Sequence, residues 1–342
     1  MGCDIRHPEI DAEHHRALWS TAAPGEVPAV FRTSTIEDLV ARRAGLANSF
    51  VDEAELRRVG VETHEYDIPG YDGGPDVSVL VLRPAGVSGP LPVLVHPSCG
   101  AKVLSHRRAV GAMGFVEWVT AFQIVIVSAT IRTGPEHRHP AELHDSYATL
   151  LWTAKNADSL GVDPDRIGLV AGSGGGGVAA GTALYARDHG GPALSGLILF
   201  TPMIDDRDIT VSNHFEGVGW DHDSNVAGWT ALLGEARGGA DVSEYAAAAR
   251  AADLSGLPPM YLETGSADTF RDETLDFAAR AGHAGVPVEV HSWAGLMHVG
   301  AQDELIDSEL SKAQLAARHS YLRRVFGPKG GGLVANTRPG QA

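Results

Sequence analysis

From about residue 61 onward, short uninterrupted apolar runs recur along the chain. VSVLVLRPAG (77–86) is aliphatic and β-branched and closes on Pro-Ala-Gly. LPVLVHP (91–97), FQIVIVSA (122–129), RIGLVAG (166–172) and LSGLILFTP (194–202) follow it. Continuous rather than alternating runs predict strands covered on both faces, the pattern of a parallel sheet. Helix-patterned stretches separate them, AELHDSYATLLWTAKNADSL (141–160) and GVAAGTALYARDHGG (177–191). Alternation of strand and helix predicts a right-handed βαβ sheet with helices on both faces. The rhythm resumes later with PPMYLETGSAD (258–268), a helix through DETLDFAARAG (272–282) and VPVEVHSW (286–293).

Three stretches depart from this pattern. Residues 35–58, TIEDLVARRAGLANSFVDEAELRR, are charged and helical in period, and Thr35 followed by Asp38 is a capping start. They mark residues 1–60 as a peripheral helical segment. Residues 205–255 are rich in aromatics, His and Asp without a strand run, which predicts a helical insertion at about 205–250 within a body spanning 61–326. GPKGGGLVANTRPGQA (327–342) is Gly/Pro-rich and polar and reads as a disordered tail.

Composition narrows the class. The chain has 342 residues, 44% of them apolar, enough for one large α/β domain or two smaller ones. Lys+Arg 27 against Asp+Glu 43 gives 27 − 43 = −16, which argues against nucleic acid as a partner, because phosphate binding needs a basic face. Two cysteines, Cys3 and Cys99, make no disulfide framework and point to a reducing compartment. No signal-peptide pattern and no apolar stretch of about 20 residues is present, so a cytoplasmic protein without a membrane partner is expected.

The densest chemistry lies in RIGLVAGSGGGGVAAGTAL, a strand, a very tight turn and a helix. Residues 172–177 satisfy G-x-G-x-x-G, in which backbone amides at a helix start hold a pyrophosphate. The same stretch nearly satisfies G-x-S-x-G, the strand-to-helix elbow that exposes a nucleophilic serine, with Ala171 in place of the first glycine. Context separates the two. A dinucleotide fold opens with its glycine turn on the first strand and wants an acid ending the next one, and neither holds here. The elbow needs a histidine to take the serine proton and a carboxylate to hold that histidine. Asp268 follows a strand 95 residues after Ser173, and His298 follows the next strand 30 residues later, in the chain order Ser, Asp, His.

With these motifs in place the chain resembles the bacterial hormone-sensitive-lipase-like esterases (family IV) of the α/β-hydrolase fold, from about residue 60 to 325. RTGPEHRHPA, through Arg132, Pro135, Glu136, His137 and Pro140, is similar to the family's R-L-A-P-E-H-x-x-P-A. DPDRIGLVAGSGGGG is similar to D-P-D-R-I-x-x-x-G-D-S-A-G-G, GSADTFRDE to D-P-L-R-D-E, and GLMH to G-x-x-H. The resemblance implies a mostly parallel central sheet with helices on both faces. It also implies a helical cap built from the N-terminal segment and the insertion, and a Ser173–Asp268–His298 triad needing no cofactor and no metal.

The family's H-G-G-G loop, whose amides hold a tetrahedral oxyanion, is the point of departure. Ser98-Cys99-Gly100-Ala101 align to it, with Lys102 where an aromatic usually follows and His96 two residues early. Amides of Cys99, Gly100 and Gly174 are the expected oxyanion donors, since side-chain identity does not matter to an amide. Cys99 reads as a small buried residue in a glycine's place, with a second nucleophile beside Ser173 as the alternative. Lys102, Phe215, Trp220 and Trp229 are candidates to line an acyl or alcohol pocket. His137, His139 and His144 lack any metal-ligand spacing and read as loop and helix histidines.

The expected activity is hydrolysis of carboxylic esters with small or medium apolar acyl groups through an acyl-enzyme. The partners are a small-molecule ester and, as a candidate, a second copy of the chain. The altered loop keeps open a non-hydrolytic cyclase, eliminase or acyltransferase on the same scaffold. A binding protein is a third reading, since the gibberellin receptors resemble this fold but have lost the histidine.

Overall fold

The computed structural model describes residues 6–20, 34–50, 52–109, 114–216, 219–298 and 306–327. Of the expected tail at 327–342, all but Gly327 lies outside the described residues. Eight strands form one sheet in the order β1-β2-β4-β3-β5-β6-β7-β8. β1 (Val61–Ile68) pairs antiparallel with β2 (Val77–Pro84), and β2 pairs antiparallel with β4 (Val125–Thr130). β3 (Leu91–Ser98) runs parallel to β4 and to β5 (Val162–Gly172). Parallel pairing continues through β6 (Gly196–Phe200), β7 (Met260–Ala267) and β8 (Val288–Met297). The sheet is therefore mostly parallel, as the apolar runs predicted.

Side-chain alternation along the strands divides the core into two layers. Val79, Val81, Val93, Val95, Val125 and Val127 point to one face, where Tyr147 and Leu150 of α5 (Ala141–Lys155), Val178 of α7 (Ser173–Asp188) and Phe277 of α9 (Arg271–His283) cover them. Leu80, Leu82, Leu94 and Ile126 point to the other, under Phe115 and Trp118 of α4 (Phe115–Phe122) and Tyr321 and Leu322 of α10 (Glu309–Val325). Each buried aliphatic or aromatic side chain stabilises the fold by roughly 1.5–3 kcal/mol relative to exposure. The expected helix at 141–160 divides into α5 and a short α6 (Ala157–Leu160).

The described parts of residues 1–60 pack at different places on the body. α1 (Ala12–Ser20) lies by the start of α10, with His14 Nδ1 3.0 Å from Ser308 Oγ. α2 (Ile36–Ala41) starts where predicted, Thr35 Oγ1 accepting the Asp38 amide at 3.1 Å. Leu39 of α2 packs with Trp229 and Leu232 of α8 (His222–Leu233) and with Ala101, Val103 and Phe270. The N-terminal segment and the insertion thus meet over the loop that follows β3. α3 (Glu53–Arg58) instead puts Leu56 into the sheet core beside Phe115 and Trp118.

Candidate active site

The strand run ending at Gly172 passes directly into α7, so the chain must reverse within one residue. Ser173 takes the strain, with φ 52 on a residue that has a Cβ. That conformation pushes the side chain out of the helix, and Ser173 is partly exposed in a largely buried neighbourhood. Its Oγ lies 3.0 Å from His298 Nε2. His298 Nδ1 lies 3.2 Å from Asp268 Oδ2, and Asp268 Oδ1 accepts the Phe270 amide at 2.8 Å. The fully buried Asp268 carboxylate can only accept, so Nδ1 carries the imidazole proton and Nε2 is left to accept the serine hydroxyl. Phe270 meets the His298 ring edge-on at 4.8 Å between centroids, and Trp220 stands 6.3 Å away on the cap side. The three residues the sequence placed at successive strand ends converge.

The oxyanion loop departs from expectation. Gly100 donates its N–H to the Leu104 carbonyl at 2.8 Å, in a tight bridge that also returns the Leu104 amide to the Gly100 carbonyl. Gly100 is therefore corrected as a donor, because its hydrogen is already committed. Cys99 meets α7 through its carbonyl, which accepts the Gly175 N–H at 2.7 Å. The amides that face the elbow belong to the next two residues. A Cβ at position 174 would sit 2.9 Å from Ala101 N and 2.8 Å from Lys102 N. Ala101 and Lys102 both have positive φ, 54 and 63, a left-handed pair without glycine. The Ala101 and Lys102 amides therefore both lie beside Gly174.

The glycine run of α7 has one cause along its length: each missing Cβ admits a neighbour. A Cβ on Gly175 would meet Pro97 O at 2.9 Å, one on Gly176 would meet Pro202 Cβ at 2.8 Å, and one on Gly177 would meet Met203 O at 2.1 Å and Lys102 Nζ at 2.3 Å. Lys102 is fully enclosed, its Nζ donating to the Gly174 carbonyl at 3.0 Å and lying 4.6 Å over the Trp229 ring. Burial holds its pKa below the ordinary lysine value. Cys99 is buried too, and burial pushes its thiol up to about 11, which makes it inert as a nucleophile. His96 packs against Phe115 and Ser128, and burial takes it down to about 3, so it stays neutral inside β3.

Of the four residues expected to line a pocket, Trp220 stands beside His298, while three are corrected to packing roles. Lys102 and Trp229 are closed beneath the elbow, and Phe215 packs with Ala267, Met297 and Ile306, under the Arg271 guanidinium at 4.7 Å. His139 bonds Glu142 at 2.7 Å and His144 packs edge-on to Tyr71, in keeping with structural roles.

Comparison with known proteins gives the chain's family. The alpha/beta hydrolase fold family matches residues 105–302. The chain belongs to that family, and within it resembles the hormone-sensitive-lipase-like esterases that its motifs indicated. Carboxylesterase NlhH of Mycobacterium tuberculosis is 35% identical over 235 residues, covering 67% of this chain and 72% of that protein. Esterase LipI of the same organism is 28% identical over 253 residues, covering 68% and 78%. Among solved structures, a bacterial heroin esterase superposes with TM-score 0.82 at 33% identity, covering 93% of this chain and 98% of that one. Esterase LipW from Mycobacterium marinum gives 0.77 at 26%, covering 95% and 99%. The protein is a carboxylesterase-type hydrolase. Among the described residues no helix is long and apolar enough to cross a membrane.

Proposed function

We propose that the chain hydrolyses carboxylic esters with small or medium apolar acyl groups, with Ser173 as nucleophile, His298 as general base and Asp268 as the group that orients it. The carrying observation is the linked pair of contacts, 3.0 Å from Ser173 to His298 and 3.2 Å from His298 to Asp268. Ser173 Oγ attacks the ester carbonyl as its proton passes to Nε2, and Asp268 stabilises the imidazolium that forms. The amides of Gly174 and Ala101, at the positive end of α7, are the donors for the developing oxyanion. Protonated His298 then releases the alcohol, and the neutral ring activates water to cleave the acyl-enzyme. The apolar rings of Trp220 and Phe270 beside His298 favour an apolar substrate. The names of the relatives, carboxylesterases and a heroin esterase among them, support the same chemistry.

One observation favours a second reading, a non-hydrolytic acyl transfer or cyclisation. The Gly100 amide is tied to Leu104, leaving one fewer loop donor for the oxyanion. A panel of p-nitrophenyl esters from acetate to decanoate, read with intact-mass detection of a fluorophosphonate adduct at Ser173, separates the two. Brisk turnover of short esters, abolished in Ser173→Ala, supports hydrolysis. Adduct formation without turnover supports the second reading.

A further inference from the structure

Among the described residues, three side chains outside the proposed catalytic machinery converge in the segment that follows β6. Asp208 lies in the loop after β6, held in the left-handed region at φ 59. His214 closes a short helical turn at Ser212–His214, and His222 is the first residue of α8. His222 Nε2 is 2.6 Å from Asp208 Oδ2, and the imidazoles of His214 and His222 stack with centroids 4.9 Å apart. One donor atom from each of the three lies within 4.8 Å of the other two. The second Asp208 oxygen, Oδ1, is enclosed and has no hydrogen-bond partner.

The ion pairing of His222, to Asp208 through Nε2 and to Asp223 through Nδ1 at 3.3 Å, accounts for only part of this. It uses one Asp208 oxygen and leaves the other enclosed without a hydrogen-bond partner. It also gives His214 no reason to stack on a histidine that already faces a carboxylate. The surroundings are acidic: His214 and His222 line an open cavity of about 460 Å³ together with Glu216, Asp221 and Asp223, against one arginine, Arg6. Arg6 is itself paired with Glu216 at 3.3 Å. The backbone holding the cluster is well fixed. Ser212 Oγ donates to Thr269 O at 2.9 Å, Arg207 clamps Asp205, and Asp221 caps α8 through the Ser224 amide at 2.9 Å.

We propose that Asp208, His214 and His222 form a binding site for a divalent transition-metal ion of the zinc class. Two imidazole nitrogens and a carboxylate oxygen are the borderline donor set such ions take, and water or a neighbouring carboxylate completes a tetrahedron. Donors around tetrahedral zinc stand roughly 3.3 Å apart. Reaching that spacing needs the exposed His214 ring to rotate inward and the His222–Asp208 pair, now 2.6 Å apart, to open by roughly 0.7 Å to admit the ion between them. The ion joins three chain segments, the loop after β6, the turn at Ser212–His214 and the start of α8. Trp220 lies two residues before His222, with its ring facing His298 and its carbonyl accepting the Thr269 hydroxyl. Metal binding therefore stiffens the cap segment that carries Trp220 to the active site.

The test uses the full chain, stripped with a chelator and dialysed. Zinc is titrated by calorimetry, and cobalt is added separately to read coordination from its visible absorption. The expected result is one equivalent bound with micromolar or tighter affinity, an intense tetrahedral cobalt spectrum and a raised Tm. Asp208→Asn, His214→Gln and His222→Gln should each weaken zinc at least about tenfold, while His189→Gln, at the exposed C-cap of α7 and outside the cluster, leaves it unchanged. Zinc binding weaker than about 100 μM, a weak octahedral cobalt spectrum, or affinity undiminished in His214→Gln overturns the site. These readouts do not depend on ester turnover.

Discussion

Gly174→Ala tests how the oxyanion loop meets the nucleophile elbow. By helix propensity alone the substitution should help, since alanine is favoured over glycine inside a helix by about 0.8–1.0 kcal/mol. The added Cβ, however, falls 2.8 Å from Lys102 N, 2.9 Å from Ala101 N and 3.3 Å from Gly100 C, all backbone atoms. Comfortable contacts start near ~3.5 Å, so the loop must retreat by roughly half an ångström. It is held from several sides: Cys99 O on the Gly175 amide, Lys102 Nζ on Gly174 O, and Lys102 O accepting the Gly134 amide at 3.1 Å. Overpacking of this kind costs about 1–3 kcal/mol, and the helix gain offsets part of it. A net loss of roughly 0–2 kcal/mol is expected. Activity should suffer more than stability. Losing one oxyanion donor outright costs about 10²–10³ in rate, so moving the Ala101 amide by half an ångström should lower kcat about 10–100-fold with KM little changed. Stopped-flow or steady-state turnover of p-nitrophenyl acetate, paired with a thermal melt, reads both. A variant that keeps kcat within about twofold and melts higher would refute the assignment of Ala101 and the close packing behind it.

Asp268→Asn should drop kcat by about 10⁴, because a neutral amide supports the wrong imidazole tautomer, while fold and Tm stay near native; retention of a tenth of the activity would remove Asp268 from its role. Burial raises the Glu273 pKa well above the ordinary carboxylate value, although the Ile204 and Asp205 amides and Asn213 donate to it. An acid whose folded pKa is raised contributes stability that is present below its unfolded value and lost as pH rises through the folded one. Glu273→Gln, which mimics the neutral form, should therefore gain Tm relative to the native protein as pH rises from about 4.5, and a difference that stays flat from acid to neutral pH would contradict this. Cys99, enclosed and held protonated to about pH 11, should resist iodoacetamide at pH 8 until the chain unfolds, and Cys99→Ala should keep its esterase activity; rapid alkylation of the native protein would reopen the thiol as a nucleophile.

The parts of this molecule that were legible in sequence are those whose cause is local. A strand buried on both faces must be apolar throughout, and β3 and β6 are buried at every residue, so their runs stood out. β1, buried only at its two ends, carries VETHEYDI and left no such mark. α10 was not assigned because its inward face includes Gln314 and Arg318, and Arg318 Nε donates to the buried Glu263 of β7 at 2.8 Å. An ion pair inside a helix–sheet contact hides the apolar stripe that would reveal the helix. The convergence of Ser173, Asp268 and His298 was legible because an acid or base just past a strand end is a local signature of a residue held at the sheet's carboxyl edge.

The loop amides that face Ser173's helix were not legible for a different reason, and it bears on how such loops should be read. Two backbones can approach as closely as the loop and α7 do here only if a Cβ is missing on one side of the contact. In the motifs this chain resembles, the loop gives up its side chains (H-G-G-G) and the helix keeps one (G-D-S-A-G-G). Here the arrangement is exchanged: Ala101 and Lys102 carry side chains in left-handed backbone, and the helix gives up four in a row at Gly174, Gly175, Gly176 and Gly177. Left-handed alanine and lysine cost about 1–2 kcal/mol each, and the contacts that the glycines permit hold them there. Read alone, the loop looks degraded and the helix looks weak. Read together they are one interface with its glycines on the opposite side. A side-chain motif is conditional on its partner segment, and availability of an amide follows from which neighbour the loop turns toward, here Leu104 for Gly100 and the elbow for Ala101.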